Sequence, residues 1–224
     1  MPKSETSLSL CRVTRVSFVW LILLGIGLPA ALLTGCEKGL KKDRYLAFLA
    51  QPQNGLHQVV IGEWFTYRLQ FQPADALALR EMEDQPFSPE TFERTKEQFS
   101  GHRYFLVSIQ PNKTSKSIQE TLSEAAQEAK AGERIWQTLQ FGLEPYVKLS
   151  CGKDTMPCVL FHAQPPLMKN GQMQLHFVFL EEPSNNSVRN EDLRITFSIP
   201  EFPEPIPSFY VRRHDLTQIP TLNF

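Results

Sequence analysis

None of the compact catalytic signatures occurs in the 224 residues of this chain. There is no Gly-x-Ser-x-Gly elbow to raise a nucleophilic serine, no His-Glu-x-x-His on a helix to hold zinc, and no glycine-rich loop to cradle a phosphate. No cofactor and no metal follow from motif. Cysteine is scarce: Cys11, Cys36, Cys151 and Cys158 never approach Cys-x-x-Cys spacing, which excludes a zinc ribbon or a dithiol redox centre. An excess of one charge is also missing. The 23 basic and 24 acidic residues form no basic stripe, so nucleic acid is excluded as a partner class. No internal repeat appears. Proline, by contrast, is abundant at 17 residues, and 16 phenylalanines supply a core. That pairing points to turns and edge strands rather than a helical bundle.

One long apolar run is present, from Val16 to Leu33, interrupted only by Ser17, Gly25, Gly27 and Pro29. Lys3, Arg12 and Arg15 precede it, and small residues followed by cysteine close it. Its 18 residues sit at the short end of the ~17–25 that span a bilayer, and Pro29, Thr34 and Gly35 favour a cleaved secretory leader over a retained helix. Leu33-Thr34-Gly35-Cys36 resembles the lipobox of bacterial lipoprotein precursors. The resemblance covers the leader alone. It implies cleavage after Gly35 and acylation of Cys36 as the first of 189 mature residues. Each buried methylene contributes ~0.8 kcal/mol and one chain holds only marginally, so a multiply acylated Cys36 would fix the protein to a membrane. Glu37, in place of the aspartate associated with inner-membrane retention, points to the outer membrane. Removing Lys3, Glu5, Arg12 and Arg15 leaves 20 basic and 23 acidic residues.

The expected organisation is a signal peptide over 1–35, a tether and N-terminal segment over 36–58, and one β-rich domain over 59–224. Glu37 to Asp43 reads as a polar tether. Cys151 and Cys158 are the pair left in an exported chain, and a disulfide is their simplest use. Tyr146–Cys151, a turn over 152–157, and Cys158–His162 read as a hairpin whose neck that disulfide would cross.

Along the chain, Arg44–Ala50 is short and either helical or extended, and Pro52–Gly55 is a turn. Val59–Phe71 reads as one strand, alternating from Phe65 onward. Ser88-Pro89 opens a helix carrying Phe92 and Phe99, which Gly101 can stop. Tyr104–Gln110 is a strand. Ser117 and Glu120 have capping-box spacing before Ile118, Leu122, Ala125 and Ala129, an apolar stripe that Gly132 limits. Arg134–Gly142 fits helix or strand. Met173–Leu180, Asp192–Ile199 and Ser208–Arg212 complete the strands, and Pro200–Pro207 forms a rigid crossover. The fold class is mainly β within α+β: an antiparallel sandwich-like domain with one or two inserted helices.

The mature histidines are His57, His102, His162, His176 and His214, in no compact ligand pattern. His162 and His176 fall on neighbouring strands and, with Asp154, make the least poor hydrolase constellation. Glu181-Glu182 and Glu191-Asp192 are adjacent only in sequence, where strand neighbours point to opposite faces. Arg212-Arg213-His214-Asp215 is the densest charge cluster and reads as a solvated patch. Trp64, Trp136, Tyr67, Tyr104, Tyr146 and Tyr210 offer a stacking platform for sugars, although alternating aromatics belong more often to a core. Asn112-Lys113-Thr114 and Asn185-Asn186-Ser187 match glycosylation sequons by accident in a bacterial chain. The functional expectation is a membrane-anchored, non-catalytic binding or structural module with a protein or glycan partner. The alternative is an envelope hydrolase near His162 and His176.

Overall fold

The computed structural model describes residues 39–83, 88–164, 171–181 and 191–224. Leu33, Thr34, Gly35 and Cys36 lie outside the described residues, as do Glu182 and the sequon at 185–187. The compact unit Lys38–Phe224 holds every described element and the described buried core. No helix among the described residues is long and apolar enough to cross a membrane.

Two antiparallel sheets form the body, as the β-rich pattern implied. In the first, His57–Ile61 (β1), Phe65–Gln72 (β2), His102–Pro111 (β3), Met173–Leu180 (β7) and Cys158–Gln164 (β6) lie in the order β1-β2-β3-β7-β6. In the second, Asp154–Met156 (β5), Val147–Cys151 (β4), Leu193–Phe197 (β8) and Phe209–Val211 (β9) lie in the order β5-β4-β8-β9. Alternation buries Phe65, Tyr67, Leu69 and Phe71 of β2 and turns Thr66, Arg68 and Gln70 outward. Opposite them on the neighbouring strands, Phe105, Val107, Leu175, Phe177 and Phe179 are buried too. Phe177 meets Phe197 of the other sheet edge-on at 5.8 Å, so aromatic contacts join the two layers.

The sandwich is not a closed barrel, yet its seams are bridged. On one side the Gln58 side chain stands in for a missing strand: its amide donates to the Tyr210 carbonyl and accepts the Tyr210 N–H at 3.1 Å. This blunts the β1 edge, which would otherwise offer unpaired backbone groups. On the other side Pro157 carries the chain from β5 into β6, from one sheet to the other.

The expected single strand Val59–Phe71 is two strands, turned at Gly62–Trp64. Glu204, 9% exposed, accepts the N–H groups of Glu63 (2.5 Å), Trp64 (3.1 Å) and Phe65 (3.1 Å), and the Tyr67 hydroxyl (2.7 Å). Burial and this carboxylate push the Tyr67 hydroxyl well above its ordinary range. A Cβ on Gly62 would fall 2.6 Å from Glu204 Oε1, so only glycine lets the carboxylate in. Nothing local to the run of β-formers announces this turn, because its acceptor lies some 140 residues downstream. Pro200–Pro207, expected as a crossover, joins β8 to β9 and bulges toward the first sheet. Phe202 packs on Phe65 at 5.9 Å, and Arg134 holds Glu201 at 2.8 Å.

Helices exceed the one or two expected: six α-helices occur among the described residues. Lys42–Leu49 (α1) resolves the ambiguity at Arg44–Ala50, and Ala74–Glu81 (α2), rich in alanine and leucine, follows Pro73. Pro89–Glu97 (α3) begins where expected, with Ser88 Oγ accepting the Thr91 N–H at 3.1 Å. Ile118–Ala125 (α4) carries the full capping box of Ser117 and Glu120. Ala129–Phe141 (α5) settles Arg134–Gly142 as helix, burying Ala131, Ile135 and Leu139 at helical spacing. Gly132 does not limit that helix. It allows close contact with α4, since a Cβ there would sit 2.7 Å from Ser123 Cα. Arg213–Thr217 (α6) occupies the basic cluster, with Asp215 buried and bonded to Arg212 Nε at 3.0 Å.

Residues 39–58 pack onto the folded unit. Leu40 bridges Leu222, donating to Thr221 at 2.8 Å and accepting from Asn223 at 2.9 Å, while Tyr45, Leu49 and Leu56 enter the core.

The hairpin expected to carry a disulfide is divided. Cys151 pairs with Asp154 and Leu193 in the second sheet, Cys158 pairs with Phe179 in the first, and the two sulfurs are not bonded to each other. Pro157 ends β5 after three residues because it cannot donate to a ladder. Burial pushes both thiols above their ordinary range.

Two outcomes are expected. Replacing Glu204 by alanine strips four donors of a charged acceptor and should lower stability by about 3 kcal/mol. Gly62→Ala, which expels the same carboxylate, should act similarly in urea denaturation, and a loss below about 1 kcal/mol for both would refute the clamp. Non-reducing peptide mapping should recover Cys151 and Cys158 on separate peptides. In the native protein iodoacetamide should reach the half-buried Cys158 before the buried Cys151.

Candidate functional site

The pairing register places a line of mostly polar side chains across the outward face of the five-stranded sheet. His57 opposes Gln70, Gln70 opposes Leu106, Leu106 opposes His176, and His176 opposes His162. Residues at register positions on one face of consecutive strands stand side by side. Three of the five histidines therefore share one row, although 105 residues separate His57 from His162 in sequence.

The structure brings together the expected pair His162 and His176. Their rings are 6.2 Å apart between centroids and inclined by 39°. Burial first, then His162, then Arg80 of α2 hold the His176 imidazole below its ordinary pKa. Asp154 does not join them, because it lies on β5 in the other sheet. Among the described residues no three histidine, cysteine or carboxylate side chains gather as a metal site would require. The hydrolase constellation is thus reduced to two imidazoles and a nearby guanidinium. Of these only the guanidinium carries a fixed positive charge, which favours an anion beside it.

Arg80 links this row to a cleft of about 330 Å³. Leu46 and Leu49 of α1 face Ala76 and Leu79 of α2 across it, with His57 and Gln70 from the sheet between them. Its charged lining among the described residues is Lys42, Arg80 and Glu83. His57 Nε2 lies 2.6 Å from the Leu49 carbonyl, which fixes that nitrogen as the donor and ties α1 to β1. Two buried polar atoms on the elements that form the cleft have no hydrogen-bond partner: Tyr45 Oη of α1 and Gln72 Nε2 of β2. Burial, followed by the charge of Asp75, raises the Tyr45 hydroxyl above its ordinary range. The size and apolar lining meet the lower bound for small-molecule sites.

The remaining expected candidates disperse. Tyr67 is core, Tyr104 packs on Phe99 at 5.7 Å, and Tyr210 carries Arg194 over its ring at 5.3 Å on the other sheet, so the aromatics build no common platform. Trp64 and Trp136 pack partly against the core, and Tyr146 does likewise. Glu181 is engaged by Arg103 at 3.0 Å, and Asp192 accepts the Arg213 N–H at 2.8 Å. Asn112 of the first sequon holds the β1–β2 turn through the Gly62 and Glu63 carbonyls. The cleft was missed by sequence reading. Its one available signal was the amphipathic Lys42–Leu49 stretch, which a tether assignment conceals.

The pH response of His176 follows from its setting. Its folded pKa lies below the ordinary value near 6.5, so the unfolded chain binds the proton first. Stability contributed by the neutral ring is complete above that value and falls as pH drops below it, levelling once the folded protein is protonated. NMR titration should place His176 below about 6.5. His176→Gln should flatten the acid limb of the stability profile.

No protein-family model matches the chain, and no curated protein matches it. Among solved structures, it is similar to a protein of unknown function from Burkholderia pseudomallei at 12% identity and a TM-score of 0.35, over 79% of this chain and 86% of that one.

Proposed function

We propose that this chain is a lipid-anchored protein of the bacterial envelope whose folded unit is a non-catalytic binding module. The observation that carries the reading is the leader: three basic residues, an apolar run over 16–33, and Leu33-Thr34-Gly35-Cys36 at its end. Acylated at Cys36, the mature chain would be held by its lipid alone.

The folded unit bears on how such an anchor would work. Only Glu37 and Lys38 separate Cys36 from Gly39, next to the Leu40 backbone that Thr221 and Asn223 hold. Three residue steps reach about 10 Å at full extension, so the anchor would keep the domain at the bilayer surface instead of on a long leash. Lys41, Lys42 and Arg44 are exposed just beyond, suited to anionic headgroups. Outer-membrane residence follows from Glu37 in the same reading. The binding role is supported by the α1–α2 cleft and by the absence of catalytic motifs in sequence. Hydrolysis at His162 and His176 would require a third group, and Asp154 is on the other sheet.

Cells expressing the wild-type chain should incorporate labelled fatty acid into it. Cys36→Ser should abolish the label and leave a precursor longer by the 35-residue leader. Wild-type protein that takes up no label would overturn the anchor.

A further inference from the structure

The α1–α2 cleft combines apolar walls with cationic side chains. Leu46, Leu49, Ala76 and Leu79 make its sides apolar, while Lys42 and Arg80 line it with cations that form no ion pair among the described residues. Glu83 opposes them among the described lining residues, and His57 adds an imidazole whose Nε2 is already committed to Leu49. Of the two carboxylates on α2, Asp75 is neutralised by Lys96 at 2.7 Å, and Glu81 is not among the described lining residues. Among the described residues the lining is therefore net cationic against apolar walls. A purely apolar ligand would leave the cations unused. A compact anion such as inorganic phosphate would leave the leucines uncovered.

From this lining we infer that the cleft binds a single-chain anionic amphiphile, its hydrocarbon against α1 and α2 and its carboxylate or phosphate on Lys42 and Arg80. The site stands on its own lining; the choice of a lipid as ligand rests in addition on the membrane-anchored reading, which would place a supply of such molecules beside α1. Burying hydrocarbon contributes by area, and each charge-assisted contact by geometry, so both halves of the ligand are needed for tight binding.

The compact unit Lys38–Phe224 can be titrated with dansyl-undecanoate, whose fluorescence rises on entering an apolar site. Saturable one-to-one uptake is expected, with displacement by laurate and by lauroyl lysophosphatidylglycerol. Whichever competes better identifies a free fatty acid or a phospholipid product as the source. Dodecanol, with the same chain and no charge, should compete about tenfold less well. Lys42→Gln with Arg80→Gln, both at exposed positions, should weaken uptake about tenfold without changing the melting temperature. Arg194→Gln, on the other sheet, should leave it unchanged. Failure of saturable uptake, dodecanol competing as well as laurate, or an unaffected double variant would each overturn the inference. Acyl labelling at Cys36 is a separate readout, so the cleft and the anchor can fail independently.

Discussion

The buried carboxylate of Glu204 is the contact on which the arrangement of the two sheets turns. Placing a carboxylate in the interior costs several kcal/mol unless its oxygens are met by donors. Here four donors meet it, from Glu63, Trp64, Phe65 and Tyr67, and three of these are the backbone groups that a turn leaves unsatisfied. The proline-rich crossover of one sheet thereby becomes the cap of the first hairpin of the other. Gly62 leaves the space, Phe202 packs on Phe65, and Arg134 restrains the start of the crossover through Glu201. That last ion pair is exposed and adds little by itself; the Glu204 network is where the cooperativity lies.

With the β1–β2 turn fixed, register follows. A one-residue slip would send Phe65, Tyr67, Leu69 and Phe71 to solvent, so burial holds β2 in place and the neighbouring strands align to it. The same alignment sets the outward row from His57 to His162 and presents Gln70 to the cleft beneath α1 and α2. The candidate site is thus a consequence of how the core is registered. The Gln58 link to Tyr210 works in the same direction by closing the free edge of β1.

The N-terminal segment has a double role in this picture. Leu40 is paired with the chain's last residues, and α1 buries Tyr45 and Leu49 while presenting Lys42 and Leu46 outward. A stretch whose lysines suggest a linker forms one wall of the cleft. Its lysines made it read as solvated tether, since the apolar residues that face the sheet are few and closely spaced. Its helix is eight residues long, too short to be stable without the tertiary contacts that its own pattern understates.

Local chemistry in the sequence determined much on its own. The helix starts at Ser88 and Ser117 are written in side chains that bond backbone groups three residues away, and β7 is bounded where its alternation begins and ends. The proposed leader and its Cys36 are likewise read from linear sequence, without any fold. Only tertiary structure decided what depends on distant partners. The turn at Gly62 exists because Glu204 reaches it from another sheet. Cys151 and Cys158 part because Pro157 carries the chain between layers. His162 and His176 meet without Asp154, and the cleft forms from α1, β2 and α2, whose shared space no window of sequence contains. Short-range hydrogen bonds leave their signature where they act, whereas packing between remote segments leaves none.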